Sequence, residues 1–181
     1  MKKMSIRTMA LCALFAALSA ALSQVSIPIG PVPINITHVS LFIGAGLLGA
    51  KYGALSQIVF VLLGAVGVPV FSGFSGGISV ILGPTGGFII GYIGCTFVTG
   101  LIIGRFGKSI KVSMLAMYCG WIVTYAFGVL WYMYIMQTGI AAAFLVCVAP
   151  FLLADIPKTV LSAVLVNRLS PVFQKQVGKT A

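Results

Sequence analysis

The sequence predicts an all-α integral membrane protein with six transmembrane helices. Hydrophobic residues make up 60% of the 181 residues and charged residues only 7%, whereas a soluble domain carries roughly 25% charged residues. A chain of this length can supply about six apolar helices of ~20 residues each. We therefore expect residues 1–181 to form a single transmembrane domain.

The distribution of charge predicts how these helices cross the bilayer. Residues 8–50, 52–104 and 112–154 contain no Asp, Glu, Lys or Arg. Each of these stretches is long enough to cross a hydrocarbon core of ~30 Å, turn and return, or nearly so. Apart from Lys158, the basic residues stand between and outside the stretches, at Lys2, Lys3, Arg7, Lys51, Arg105, Lys108, Lys111, Arg168, Lys175 and Lys179. If all of them are cytoplasmic, the positive-inside rule is satisfied at every crossing and both termini are cytoplasmic.

These boundaries define the predicted elements. The six spans are residues 5–25, 39–50, 52–66, 84–104, 112–134 and 150–169, with a short helix over 138–148 before the sixth. The second and third spans are short for a crossing, which implies a thinned membrane or shielding by protein.

Two external segments connect the spans. Residues 27–38 contain three closely spaced prolines, which bar a helix. Residues 67–87 are uncharged and rich in glycine, and we expect them to fold back over a buried ligand.

Small residues mark one face of the first span. Ala13, Ala17 and Ala21 recur at a spacing of four residues, and such ridges let another helix approach closely in lipid. This face is either a packing surface within the chain or a docking surface for another membrane subunit. The same segment also resembles a secretory signal peptide, so its cleavage from the mature protein is the alternative to a first transmembrane span.

The sixth span contains an unusual pair of charges. Asp155 is the only acidic residue of the chain, and Lys158 follows it on the same helical face. Ionisable groups inside a membrane are costly and usually mark a substrate or ion path. The rise of a helix places Asp155 about 7 Å and Lys158 about 12 Å below the outer end of the span. We predict that the pair forms the polar floor of a ligand site open to the outside. The alternative is a structural ion pair.

Three further parts of the sequence have an open role in a ligand site. The first-turn N–H groups near Thr85 and Gly86 are placed to bind an anion, although no Lys-Ser or Lys-Thr follows to make a phosphate loop. Tyr125 is either a wall for an apolar ring or a core residue. His38 is interpreted as a helix-start residue at the water boundary rather than a proton relay.

Several functions are excluded by composition. The cysteines form no CxxC pair and predict no metal site or cofactor. The basic residues form no dense patch for nucleic acid, so anionic lipid is the expected counter-charge. The sequence offers no nucleophile–base pair of the kind that would indicate an enzyme. A substrate-capture subunit is favoured, and a stand-alone proton-coupled secondary transporter using Asp155 is the alternative.

Four segments resemble one known family. Residues 28–33, 64–71, 83–87 and 150–158 are similar to the BioY family, the biotin-binding S components of energy-coupling factor (ECF) vitamin transporters. The resemblance implies capture of biotin from outside a bacterial or archaeal plasma membrane. It also implies ATP-driven import by a transmembrane coupling subunit and two cytoplasmic ATPases, with the Ala13/Ala17 face meeting the coupling subunit.

Biotin chemistry suggests roles for the candidate residues. We expect Asp155 to accept from the ureido N–H groups and Lys158 to pair with an anionic oxygen. Aromatic side chains flank the apolar part of the ligand, and loop residues complete the site; these are Phe71, Tyr92, Tyr125, Asn35, Thr85 and Gly86. The chain departs from the family at Asn35-Ile-Thr37, where Thr-Leu-Gln is usual, and at Phe88, where Tyr is usual.

Overall fold

The described chain is almost entirely helical, as predicted. The structure is a computed structural model that describes residues 4–28 and 30–177. Its elements are α1 Ile6–Gln24, β1 Ser26–Ile27, β2 Ile34–Asn35, α2 Thr37–Ala65, α3 Ile78–Leu82, α4 Gly86–Phe106, α5 Ile110–Met136, α6 Ile140–Cys147 and α7 Leu152–Val177. The basic residues Lys2, Lys3 and Lys179 lie outside the described residues.

Membrane spans are evident from length and composition. Within the described residues, α1, α2, α4 and α5 are each long and apolar enough to cross a bilayer. The helices α6 and α7 form a further candidate as one pair bent by 51°. The bounds of α1, α4 and α5 agree with the predicted spans to within two residues, and α6 confirms the short helix before the last span. The chain is thus a multi-pass helical protein with four, or up to five, candidate spans by this measure.

The helix α2 reverses its direction at Gly49. This residue has φ 78° and ψ −179°, far from helical values. On either side of it, Ser40 and Gln57 both hydrogen-bond to the Ser19 hydroxyl of α1, at 2.9 and 3.1 Å. In a continuous helix, Ser40 and Gln57 would lie about 25 Å apart. The two predicted short helices are therefore the two arms of a hairpin within α2.

The bundle packs around this hairpin. The helix α4 packs against α2 and α5, while α1 lies against α2, and α7 contacts both α2 and α5. Gly100 of α4 approaches Ala50 so closely that a Cβ atom would overlap the backbone there. The core of the bundle includes the large apolar side chains Phe42, Phe60 and Met117, which are almost completely buried.

The first external segment is a small β-hairpin that the sequence did not predict. Ser26 pairs with Asn35 and Ile27 with Ile34 in antiparallel register. The Asn35 side chain then links this hairpin to the second external segment, because its Nδ2 donates to Ser72 Oγ at 3.0 Å.

The second external segment is held on the end of α1. Phe71 and Ser75 form an antiparallel backbone bridge that closes a tight loop. The Phe74 N–H donates to Gln24 Oε1 at 2.8 Å, and the Ser23 hydroxyl donates to the Val70 carbonyl. The segment also includes the short helix α3, which was not predicted. The two external segments thus lie together over one end of the bundle.

The connection between α4 and α5 is fixed to α7. Asn167 Nδ2 of α7 donates to the Lys108 carbonyl at 3.1 Å. Lys108 is half-buried there, and this burial lowers the pKa of its ammonium group.

The reversal predicts that Gly49 cannot be replaced without cost. A Cβ at Gly49 would meet no atom within 4 Å, so the penalty of Gly49→Ala is conformational. A non-glycine residue in this backbone region costs about 1–3 kcal/mol. We expect thermal unfolding in detergent to show a loss of that size. Gly104→Ala is the control, because Gly104 is helical, exposed and free of neighbours within 4 Å. Equal stability of the two variants would contradict the strained turn.

Candidate ligand-binding site

A cavity of about 200 Å³ lies beneath the external segments. Its walls come from α2, α4, α5 and α7, and the external segments cover it. Its aromatic lining consists of Phe60, Phe71, Phe88, Tyr92, Trp121, Tyr125 and Phe151. Its polar lining consists of Ser23, Asn35, Thr37, His38, Ser72, Ser75, Thr85, Thr124, Asp155 and Lys158. A mostly apolar cavity with a few polar groups is the usual form of a small-molecule site.

The Asp155–Lys158 pair forms a polar part of this wall. Lys158 Nζ lies 2.9 Å from Asp155 Oδ1, and the two residues are only 8% and 5% exposed. The Tyr125 hydroxyl donates to the other carboxylate oxygen, Oδ2. Both oxygens of the carboxylate are thus engaged, and the charges of the pair cancel.

Neighbouring helices hold the pair in place. The Thr159 hydroxyl donates to the Asp155 carbonyl at 2.8 Å, within α7. Trp121 of α5 donates from Nε1 to the same hydroxyl at 3.0 Å. Lys158 Nζ also lies 5.6 Å from the centre of the Trp121 ring, a distance at which an ammonium is attracted to an indole face. The segment around Asp155 is therefore fixed both by its own helix and by α5.

Stacked rings form the adjoining wall. The Trp121 ring lies 5.6 Å from that of Tyr125, with 21° between their planes. His38 stacks on Trp121 with centroids 3.8 Å apart and 25° between the planes. Tyr92 meets His38 edge-on, at 5.0 Å and 84°. This arrangement provides a flat aromatic surface beside the ion pair.

Comparisons with known proteins identify the family. The family model described as "BioY family" matches residues 1–175. The chain belongs to the BioY family. It is 40% identical to the "Probable biotin transporter BioY" of Pyrococcus horikoshii, over 92% of this chain and 98% of the relative. It is 37% identical to the "Biotin transporter BioY" of Thermotoga maritima, over 86% of this chain and 91% of the relative.

A solved structure has the same fold. It is the crystal structure of the S-component for biotin from an ECF-type ABC transporter, and it matches with a TM-score of 0.85 and 27% identity. The match covers 92% of this chain and 94% of that one. The resemblance found in the four sequence segments is confirmed, and the family is one of transporter components rather than enzymes.

Most of the predicted site residues meet in this BioY cavity. Seven of them line it, namely Asp155, Lys158, Phe71, Tyr92, Tyr125, Asn35 and Thr85. They come from separate parts of the sequence, and the fold brings them around one space. The predicted small residues Ala13, Ala17 and Ala21 are all exposed on α1 and are not part of the cavity lining.

Gly86 is the exception among the predicted site residues. It is not part of the cavity lining. Its N–H donates to the Gly83 carbonyl at 3.1 Å and is therefore not directed to an anion. A Cβ at Gly86 would collide with the Ile81 carbonyl oxygen. The residue serves the close packing of the start of α4 against α3.

Sequence reasoning missed several large side chains of the site, among them His38 and Trp121. His38 does lie in the first turn of α2, as interpreted, but its ring is buried in the cavity wall. Trp121 lies four residues before Tyr125 and so shares its helical face. That spacing was the available signal for Trp121, whereas His38 carried none beyond being the single histidine.

The buried pair predicts strong coupling between its two members. Removing one partner of a buried ion pair costs about 3–5 kcal/mol, because it leaves an uncompensated charge. We expect Asp155→Asn and Lys158→Met each to lower the stability of the ligand-free protein markedly. The double variant should lose less stability than the sum of the losses of the two single variants. Thermal unfolding in detergent measures all three, and additive losses would show that the pair is not coupled.

Proposed function

We propose that the protein is the biotin-binding S component of an ECF-type vitamin transporter. It captures biotin outside the cell, and a partner module driven by ATP hydrolysis completes import. The observation that carries the proposal is the cavity with a buried ion pair in its wall, in a chain of the BioY family. The relatives named above are described as biotin transporters. Nothing in these comparisons supports the stand-alone proton-coupled transporter.

The polar chemistry of the cavity suits the ureido ring of biotin. This ring has two N–H donors and one carbonyl acceptor, and it carries no net charge. The carboxylate of Asp155 has lone pairs for N–H donors, and the Lys158 ammonium has three donors, one of which is directed to Asp155. Because Lys158 is already neutralised, we assign it to the ureido oxygen rather than to the anionic oxygen expected from the sequence.

The remainder of biotin then extends toward the external segments. Phe71, Tyr92 and Tyr125 flank its apolar thioether ring. The carboxylate of the biotin tail lies nearest to the uncharged polar groups of the loops, including those of Asn35 and Thr85. A carboxylate can accept hydrogen bonds from amide and hydroxyl groups without a further cation.

We also propose the membrane topology. The six spans are α1, the two arms of α2, α4, α5 and α7, which together form one substrate-binding domain. The reversal at Gly49 supports the separation of the arms. Lys51 lies beside this turn, whereas His38 at the other end of the first arm lines the cavity. The turn then faces the cytoplasm with both termini, and the cavity opens outside a bacterial or archaeal plasma membrane.

Biotin binding by the purified protein tests the proposed function. Isothermal titration in detergent should give heat with biotin and none with thiamine or riboflavin. Asp155→Asn and Lys158→Met should each weaken biotin binding about 100-fold, the effect of losing roughly 3 kcal/mol from a buried charged contact. Lys108→Met is the matched control, since it removes the same charge from outside the cavity. Unchanged affinity in both cavity variants would refute the site.

The exposed alanines of α1 provide a second test, of assembly. We propose that Ala13, Ala17 and Ala21 dock on the transmembrane coupling subunit, which carries the two cytoplasmic ATPases. A bulky side chain at such a face blocks close approach of helices. Ala17→Trp should therefore keep its affinity for biotin but fail to copurify with the coexpressed coupling subunit.

The control for this test is an alanine of another helix. Ala142 is exposed on α6, far from α1 in the sequence. Ala142→Trp should copurify with the coupling subunit like the unmodified protein. Copurification of Ala17→Trp at the same yield would refute the proposed docking face.

A further inference from the structure

His38 carries a buried polar atom that the proposed function has not used. The residue is 6% exposed and lines the cavity. Its Nε2 atom is buried and has no hydrogen-bond partner among the described residues. Buried polar groups are nearly always hydrogen-bonded, and each exception calls for an explanation. A structural role for the ring would be served better by an apolar residue.

The position of the imidazole is fixed by aromatic neighbours. It stacks on Trp121 at 3.8 Å and meets the edge of Tyr92 at 5.0 Å. Lys158 Nζ lies 5.6 Å from the centre of the same indole ring. The first turn of α2 therefore brings a second polar group, from another helix, to the part of the cavity that holds the ion pair.

The chemistry of a neutral imidazole complements this pair. Nε2 carries either a proton to donate or a lone pair, depending on the tautomer. A carbonyl oxygen has two lone pairs, so the oxygen of a cyclic urea can accept from Lys158 and from a second donor. His38 can supply that donor without adding charge to a neutral site.

We propose that His38 is a specificity-determining residue that contacts the ligand, donating from Nε2 to the ureido oxygen of biotin. This inference rests on the proposed function and adds a residue to it. The contact gives the buried nitrogen a partner only when the ligand is bound. Binding then depends on a strong hydrogen-bond acceptor at the position of the ureido oxygen in the ligand.

The main test is titration of His38→Phe with biotin and two analogues. Phenylalanine keeps a stacking ring and removes the nitrogen atoms. We expect biotin affinity to fall about 10- to 100-fold, as for one lost hydrogen bond with a polar group left unpaired. Desthiobiotin, which keeps the ureido oxygen, should lose the same factor. With 2-thiobiotin, whose sulfur is a weak acceptor, affinity should change by no more than about threefold.

Stability separates this role from a packing role. If the nitrogen acts only on the ligand, ligand-free His38→Phe should unfold at the same or a higher temperature, since a buried unpaired atom is removed. Two amide variants give an independent measurement. His38→Gln places an amide nitrogen near Nε2 and should retain more affinity than His38→Asn, whose amide reaches only to the Nδ1 position.

The outcomes distinguish this inference from the proposed function. If His38→Phe binds biotin as tightly as the unmodified protein while Asp155→Asn does not, the His38 contact is refuted and the biotin site stands. Equal losses for biotin and 2-thiobiotin would also refute it. If His38→Phe does not fold, equal affinities of the Gln and Asn variants for biotin would refute it. If the unmodified protein binds no biotin, the proposed function itself fails.

Discussion

The buried contact between Asp155 and Lys158 is the constraint on which the rest of the site depends. An isolated charge in an apolar interior is far more costly than a protein of ordinary stability can tolerate. The two charges must therefore lie together, with further hydrogen bonds from the surroundings. Tyr125 provides one of these, and Trp121 and Thr159 fix the helix that carries the pair. Placing one acid in the last helix thus dictates which face of α5 must pack against it.

The backbone reversal in α2 gives the cavity its shape. Because the chain turns back at Gly49, both ends of α2 lie at the end of the bundle that holds the cavity. The first external segment leads into one end of α2 and the second leaves from the other. The hydrogen bond from Asn35 to Ser72 then joins the two segments over the cavity, and the bond from the Phe74 N–H to Gln24 holds the second segment on α1. The two arms of α2 and the two uncharged segments accordingly border the same cavity, together with α4, α5 and α7.

The features that the sequence predicted are those with a local physical cause. The long uncharged stretches predicted the helices, and the single acid predicted the ion pair. Both follow from one segment alone, namely from its apolar length and from the cost of burying a charge in it. The features that were missed depend on contacts with other elements of the fold. The burial of His38 requires Trp121 from α5, and the packing of Gly86 requires Ile81 from α3. No periodicity in the first external segment signals the pairing of Ser26 with Asn35.

The engagement of Asp155 also bears on how transport is powered. A proton-coupled carrier needs a carboxylate that binds and releases a proton during each cycle. Here one oxygen of Asp155 contacts the Lys158 ammonium and the other accepts a hydrogen bond from Tyr125. Protonation would leave Lys158 as an unpaired buried charge. A site whose two charges are already paired in this way favours capture of a neutral polar ring over capture of a proton that would break the pair.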